Sequence, residues 1–187
     1  MDAVADVPVP VNEAVLGYGP GSKERAGIEA ALERMAGEDP IELTATIDGV
    51  SKPASGESFE VTMPSEHAHI LGHAAKATRA DATDAITAAL AAAPGWAELS
   101  FEQRAAVFLR AADLLAGPWR DTLNAATMLG QGKTIVQAEI DSACELIDFL
   151  RFNAYFALNL EKYEPISTKA YTNKMVYRGL EVRSSYA

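Results

Sequence analysis

The chain has 187 residues, a formal net charge of −10 and 49% apolar residues. This length suits one medium domain or a part of a larger protein. The strong negative charge argues against nucleic acid or an anionic membrane as the main partner. The single cysteine cannot form an internal disulfide, and no apolar run approaches the roughly 18 residues of a membrane span. We therefore expect a protein of the reducing cytoplasm.

The first 40 residues are predicted to form an extended arm followed by a short helix. Pro8 and Pro10, together with several glycines, disfavour regular structure up to about residue 20. Ser22 can cap a helix that extends to Ala36 with its apolar side chains on one face. The arm and this helix make up a first segment, residues 1–40.

The next stretch predicts a small antiparallel sheet. Residues 41–47 alternate apolar and polar positions and are rich in β-branched side chains, as is typical of a strand. Asp48 and Gly49 form a strong turn signal. Further strands are predicted over residues 58–63 and 67–75.

Three helices are predicted before the longest element. The first covers residues 81–93 and ends at a Pro-Gly pair. Ser100 and Gln103 can form a capping box for the second helix. The third covers residues 119–129 and is closed by Gly130. Short connections indicate that these helices pack as an antiparallel layer.

The longest predicted element is a helix from Thr134 to about Lys162, on which every other element is expected to pack. Thr134 and Gln137 can form a capping box at its start. Its acidic flank includes Glu139, Glu145 and Asp148. One face carries apolar residues at alternating steps of four and three. These residues are Val136, Ile140, Ala143, Ile147, Leu150, Ala154 and Ala157.

A terminal strand is predicted over residues 173–180. The fold class is therefore α+β, with an extended N-terminal arm, a small antiparallel sheet, a helical layer containing one long helix, and a terminal strand. Residues 41–181 make up the second segment of the chain. Residues 182–187 form a tail without a recognisable pattern.

The segment Gly130–Thr134 contains a Gly-Lys-Thr triplet, which invites interpretation as a phosphate-binding loop. That motif requires a glycine at position 127, where this chain has Thr127, and a strand rather than a helix before it. The sequence therefore favours the end of one helix and the start of the next, without a cofactor-binding residue.

Three histidines and the cysteine are further candidates for chemistry. His67, His69 and His73 lie on or beside a predicted strand, but no cysteine or carboxylate accompanies them at the spacing of zinc ligands. Cys144 lies beside the apolar stripe with acidic neighbours, which would suppress thiolate formation. We interpret the histidines as solvated and Cys144 as a packing residue, and predict neither a metal site nor a catalytic residue.

Glu145 is the one carboxylate that we set apart from the acidic flank. It lies one step from the apolar stripe of the long helix, where a large partner domain could cover it. Periodicity alone favours an ordinary surface glutamate. On the residues alone, the chain is an α+β module without a self-contained active site.

Several stretches of the chain resemble the 1-pyrroline-5-carboxylate dehydrogenases, a branch of the aldehyde dehydrogenase superfamily. The resemblance extends over nearly the whole chain up to Glu181, and the run from Leu129 to Asn153 is specific to this branch. The matching stretches are Met128–Thr134, Gln137–Asp141, Glu145–Phe149, Arg151–Asn153 and Val176–Glu181.

The resemblance implies the N-terminal portion of an enzyme about three times longer, which oxidises L-glutamate γ-semialdehyde to L-glutamate with NAD in proline catabolism. It implies that the catalytic cysteine, the catalytic glutamate and the NAD-binding domain belong to polypeptide beyond residue 187. Of the family's site residues, only the pocket glutamate of the long helix maps here, at Glu145, as a substrate-binding residue. The resemblance further implies a homo-oligomer when the enzyme is complete.

These implications lead to the expectation that the chain alone binds no NAD and is inactive. Two alternatives remain open: a non-catalytic module that associates with dehydrogenase subunits, and a free-standing acidic helical binding protein. The tail at residues 182–187 departs from the family pattern. Our hypothesis for that departure is a frameshift or a miscalled gene end.

Overall fold

A computed structural model describes residues 7–177 of the chain, in which helices predominate and two small sheets lie beside them. The predicted α+β fold class is confirmed. Residues 7–19 form an arm without regular structure. Helix α1 follows over Lys23–Gly37, where the Ser22 hydroxyl accepts a hydrogen bond from the Arg25 backbone N–H. No helix of the described part is both long and apolar enough to cross a bilayer.

Five short strands follow α1 in two separate sheets. In the three-stranded sheet the order is β1-β5-β4, and β2 pairs with β3 alone. The Asp48-Gly49 turn joins β2 to β3, and both of its residues have positive φ, as the sequence predicts. The strands are β1 (Ile41–Leu43), β2 (Ala45–Ile47), β3 (Val50–Lys52), β4 (Ser58–Met63) and β5 (Glu66–Ala75).

The stretch 41–47 is not the single strand that its alternation predicts, and the sheet is not purely antiparallel. The chain leaves the strand conformation at Thr44, so that β1 pairs with β5 in parallel while β2 joins the hairpin. Alternation shows that a residue is extended, but it does not identify the neighbouring strand. Gly72 permits the parallel pairing, because a Cβ at this position would lie 2.6 Å from the carbonyl oxygen of Ile41.

Three helices follow the sheets, and the first is longer than predicted. Helix α2 (Arg79–Glu98) continues through Pro94 and Gly95 instead of ending at residue 93. Nearly all of α2 is exposed, so water can hydrate the carbonyl group that Pro94 leaves without a donor. Helix α3 (Phe101–Ala116) starts with the predicted Ser100–Gln103 capping box.

Helix α4 (Arg120–Gln131) ends two residues later than predicted. Gly132, not Gly130, is the capping residue, and its φ of 68° lies in the left-handed region. The next helix starts two residues later at the predicted Thr134–Gln137 capping box. The Gly-Lys-Thr triplet is therefore a helix end followed by a helix start, as the sequence favoured.

The long helical element has the predicted extent but contains an irregular central turn. It consists of α5 (Ile135–Ala138), a π segment (Glu139–Cys144), α6 (Glu145–Asn159) and a 3₁₀ turn (Leu160–Lys162). A π turn contains an additional residue, which rotates the preceding side chains relative to those that follow.

This rotation makes the first part of the predicted apolar stripe wrong. Val136 and Ile140 are 62% and 40% exposed, whereas Ala138 and Glu139 are buried. After the π segment the prediction is confirmed, because Ile147 and Ala154 are buried. The helix thus turns a carboxylate inward at the point where a regular α-helix would present an isoleucine.

Two small clusters of buried residues form the core, and both use alanines for close helix contacts. The first joins α1 to α4 through Ile28, Ala31 and Ala125. The second joins α3 to the long helical element through Ala112, Ala143 and Ile147.

The predicted terminal strand is wrong over residues 173–177, which have no regular structure. A strand requires a neighbour for its backbone hydrogen bonds, and none of the described strands pairs with this segment. Residues 178–180 of that prediction and the tail at 182–187 lie outside the described residues.

Replacement of Gly132 by alanine tests the left-handed cap. We expect Gly132→Ala to lower the free energy of unfolding by about 1–2 kcal/mol, because an L-residue with a side chain is strained at positive φ. Gly130→Ala is the matched control in the last turn of α4. It should be neutral or stabilising by up to about 1 kcal/mol, since alanine is the better helix former. Equal effects in urea unfolding would contradict this assignment of the cap.

Candidate functional site

Glu145 lies in the first turn of α6, directly after the π segment, and its side chain is exposed. The positions four, seven and eleven residues later share its face of the helix. They are Phe149, Phe152 and Phe156, of which the first and last are 58% and 56% exposed. The Phe152 and Phe156 ring centroids are 5.8 Å apart. This face therefore presents a carboxylate at one end of an aromatic row.

A buried ion network lies on the opposite side of the π segment. We use this name for Glu13, Tyr18, Arg120, Asn124 and Glu139, which connect the arm, α4 and the π segment. The Arg120 guanidinium donates from two nitrogens to the two oxygens of Glu139, and the side chains are 6% and 1% exposed. Tyr18 and Asn124 also donate to Glu139, at 2.8 and 2.9 Å.

The surroundings of Glu139 keep its carboxylate ionised. Burial opposes the charge, but the hydrogen bonds from Arg120, the Leu16 backbone N–H, Tyr18 and Asn124 outweigh it and lower the pKa of Glu139 to about 2. These donors together satisfy the hydrogen-bonding capacity of the buried carboxylate. A protein tolerates a buried charge under this condition.

The arm is held to the helices mainly through Glu13. One Glu13 oxygen accepts from Arg120 at 2.7 Å and the other accepts from Arg151 of α6. The Glu13 backbone N–H and the Asn12 amide donate to Asp148, at 2.7 and 2.8 Å. Thus two of the acidic residues predicted to form a solvated flank, Glu139 and Asp148, instead bind the arm.

Cys144 packs against this network and is not available as a nucleophile. Its Sγ lies 3.4 Å from an Arg120 nitrogen and 3.7 Å from a Glu139 oxygen. Burial, followed by the negative charge of Glu139, raises the pKa of the Cys144 thiol to about 11. The thiol is therefore protonated near neutral pH, and the interpretation of Cys144 as a packing residue is confirmed.

The three histidines lie along one strand and are not grouped with further metal-ligating side chains in the described part of the chain. His67, His69 and His73 all belong to β5, and within residues 7–177 no three His, Cys, Asp or Glu side chains are grouped to hold an ion. His67 is exposed and the other two are partly buried.

The described residues do not offer a cradle for a dinucleotide. Such a cradle places a glycine-rich turn between a parallel strand and a helix whose N-terminal amides bind the pyrophosphate. The turn at Gly132 follows helix α4 instead, and the helix start after it is occupied by the Thr134 and Gln137 side chains. We therefore assign no cofactor-binding residue among residues 7–177.

Comparison with known proteins identifies the family of the fold. Residues 51–180 match the model of the aldehyde dehydrogenase family. The chain belongs to the aldehyde dehydrogenase family.

The relatives narrow this similarity to one branch. The chain is 45% identical over 170 residues to the mitochondrial delta-1-pyrroline-5-carboxylate dehydrogenase of Mus musculus, which covers 91% of this chain and 30% of the mouse protein. The Delta-pyrroline-5-carboxylate dehydrogenase of Mycobacterium tuberculosis, solved with NAD and cobalamin, superimposes with a TM-score of 0.91 at 50% identity. That match covers 96% of this chain and 34% of the bacterial one.

A more distant structure confirms the same fold. The 1-pyrroline-5-carboxylate dehydrogenase from Thermus with bound NAD is 27% identical, with a TM-score of 0.78 over 88% of this chain and 32% of that one. The chain thus spans about a third of the length of the dehydrogenases that it matches. The resemblance found in the sequence is confirmed.

The sequence did not indicate the role of Arg120 or Glu139. Arg120 follows a Gly-Pro-Trp turn that reads only as a helix boundary, and Glu139 lies in an acidic stretch with no feature that distinguishes it from its neighbours. The only signal that could have found them is the burial that the π segment produces. Glu145, by contrast, is exposed here, and its role in substrate binding stays a prediction.

Replacement of Glu139 by glutamine tests the buried ion network. We expect Glu139→Gln to lower the free energy of unfolding by about 3–5 kcal/mol, because Arg120 then keeps a buried charge with an incomplete set of partners. The control is Glu29→Gln, which removes an exposed pair with Arg25 and should change stability by less than about 1 kcal/mol. Similar losses in urea unfolding for both variants would show that the network contributes no more than a surface pair.

The same carboxylate predicts a pH dependence of stability. Its pKa is about 2 in the folded chain and 4.5 as a free side chain. The stabilisation is therefore complete above about pH 4.5 and is lost as the pH falls towards 2, when the folded carboxylate takes up a proton. Thermal melts between pH 6 and pH 2 should show a smaller fall in Tm for Glu139→Gln than for the wild type. An equal fall would exclude Glu139 as the titrating group.

Proposed function

We propose that this chain contributes the N-terminal portion of an NAD-dependent dehydrogenase that oxidises L-glutamate γ-semialdehyde to L-glutamate in proline catabolism. The observation that carries the proposal is the superposition on the Mycobacterium tuberculosis enzyme over 96% of the chain at 50% identity. The overall reaction converts an aldehyde and water to a carboxylate, with NAD⁺ accepting the hydride. No observation favours the alternative of a free interaction module.

Within this proposal the chain supplies scaffold and one wall of the substrate pocket. Glu145 is the candidate for contact with the substrate, because its carboxylate is exposed at the end of the aromatic row that Phe149 begins. A carboxylate in this position can accept hydrogen bonds from a polar substrate, while the rings exclude water around it. The buried ion network fixes the helix from the other side.

We further propose that the chain alone has no dehydrogenase activity. Aldehyde oxidation of this type requires a cysteine thiolate that attacks the carbonyl carbon. Cys144 is the one cysteine of the sequence, and it is buried with a raised pKa. Residues 7–177 also lack a dinucleotide cradle.

Two further properties belong to the proposal. We expect a homo-oligomer when the remainder of the dehydrogenase is present, and neither nucleic acid nor a membrane as partner, in keeping with the net charge of −10. A cytoplasmic location is expected from the single cysteine, although several animal relatives are named as mitochondrial.

The activity proposal is tested by mixing the purified chain with NAD and 1-pyrroline-5-carboxylate and following NADH absorbance. We expect no turnover above the protein-free background, since the chain has no available thiolate. The full-length Mycobacterium tuberculosis enzyme is the positive control. Turnover by the chain itself would overturn the proposed division of roles.

Glu145 is tested in a full-length dehydrogenase whose matching segment is replaced by residues 7–177 of this chain. We expect Glu145→Ala to lower kcat/KM for the semialdehyde by about 10–100-fold, the effect of losing one charged hydrogen bond. Glu33→Ala, on the exposed side of α1, is the control and should leave kcat/KM unchanged. Unchanged kinetics for Glu145→Ala would remove it from the substrate pocket.

A further inference from the structure

An apolar cleft of about 350 Å³ lies where the end of α2 meets α3 and α6. Aromatic rings of all three helices line it, and three of these rings remain between 42% and 58% exposed. Those three belong to Trp96, Phe108 and Phe149. Exposed aromatic surface on this scale marks a binding surface more often than a free face.

Among the described residues, Arg104 is the only charged one that lines the cleft, and its hydrogen bonds are incomplete. The Nε atom of Arg104 is buried but has no hydrogen-bond acceptor among the described residues. The guanidinium carbon lies 5.3 Å from the centre of the Phe101 ring. No carboxylate lines the cleft, and the remaining polar side chain is the Asn153 amide. A buried donor without an acceptor costs free energy, because it has lost its hydrogen bonds to water. An acceptor from a bound molecule would remove this cost.

We propose that this cleft is a docking site for a polypeptide segment that carries a carboxylate beside apolar side chains. The carboxylate would accept from the Arg104 guanidinium, and the apolar side chains would cover the rings of Trp96, Phe108 and Phe149. Such a segment is complementary to the cleft, because its carboxylate would supply the counter-charge that Arg104 lacks and its apolar side chains would match the aromatic lining.

The source of the segment follows from the proposed function, on which this inference rests. The matched dehydrogenases are about three times as long as the aligned region, so most of their chain lies outside it. The proposed occupant is a segment of that remaining dehydrogenase polypeptide. A small carboxylic acid is the competing occupant, but it would leave part of the three exposed rings uncovered.

The test co-expresses the 187-residue chain with the part of the Mycobacterium tuberculosis dehydrogenase that follows the matched region, so that the two polypeptides fold together. We expect the two to co-purify. Arg104→Gln should weaken their association by at least tenfold, and Arg104→Lys should weaken it by less, because the cation remains. Arg110→Gln removes an exposed cation from the same helix and should have no effect. Failure of the wild-type chain to associate, or association that is unchanged by Arg104→Gln, would overturn the proposal.

A second measurement separates docking from a structural role of Arg104. The isolated Arg104→Gln chain should melt within a few degrees of the wild type, because the guanidinium has no acceptor within the described residues. A large fall in Tm would instead show that Arg104 stabilises the isolated fold.

A third measurement tests whether a small acid occupies the cleft. In a Trp119→Phe background, Trp96 is the one tryptophan left, so its fluorescence reports on the cleft directly. The probe is 4-phenylbutyrate, with its amide as the control. A saturable change in fluorescence that requires both the carboxylate and Arg104 would show that the cleft binds a small acid, and would overturn the proposal of a polypeptide occupant.

The readouts distinguish this inference from the proposed function. Association is measured by co-purification, and dehydrogenase activity by NADH formation in the co-purified complex. If the two polypeptides associate through Arg104 but the complex forms no NADH, the docking site is supported and the proposed function is rejected. If the complex forms NADH but its association is unchanged by Arg104→Gln, the proposed function is supported and the docking site is rejected.

Discussion

The pair of Arg120 and Glu139 is the contact on which the arrangement of this chain depends. It is nearly inaccessible to water, and both partners use further hydrogen-bonding groups to hold the arm. Arg120 binds Glu13 and the Ala14 carbonyl group of the arm, while Glu139 binds the Leu16 backbone N–H. Two charges that would each be expensive to bury alone together fix a segment that has no regular structure of its own.

The π segment places Glu139 where it can pair with Arg120, and the pair in turn stabilises the π segment. A regular α-helix would place Ile140 towards the interior and Glu139 towards solvent, whereas the additional residue of the π turn reverses them. The same turn leaves α6 in the orientation that exposes Glu145 and Phe149. One side of the long helical element thus holds the arm, while Glu145 and Phe149 stay exposed, where the proposed contacts with substrate or further polypeptide would form.

Features that depend on local chemistry could be predicted from the sequence, and those that depend on distant contacts could not. The capping residues Ser22, Ser100 and Thr134 act on backbone groups within three positions, so their patterns are sufficient. The parallel pairing of β1 with β5 brings together residues about 30 positions apart, which alternation does not encode. The burial of Glu139 is likewise decided by partners on α4 and the arm. Glu145 was singled out only by resemblance, because its periodicity alone predicts a surface residue, and its role in substrate binding stays a prediction.

The attachment of the arm sets an order on the maturation of the chain. Arg120 and Glu13 are separated by 107 positions, and Glu139 lies further still from the arm. During synthesis the arm leaves the ribosome well before the cation that will bind it has been made. The arm therefore remains accessible to chaperones and proteases until α4 and the π segment have been made, and the closing of that long loop is a late event in folding.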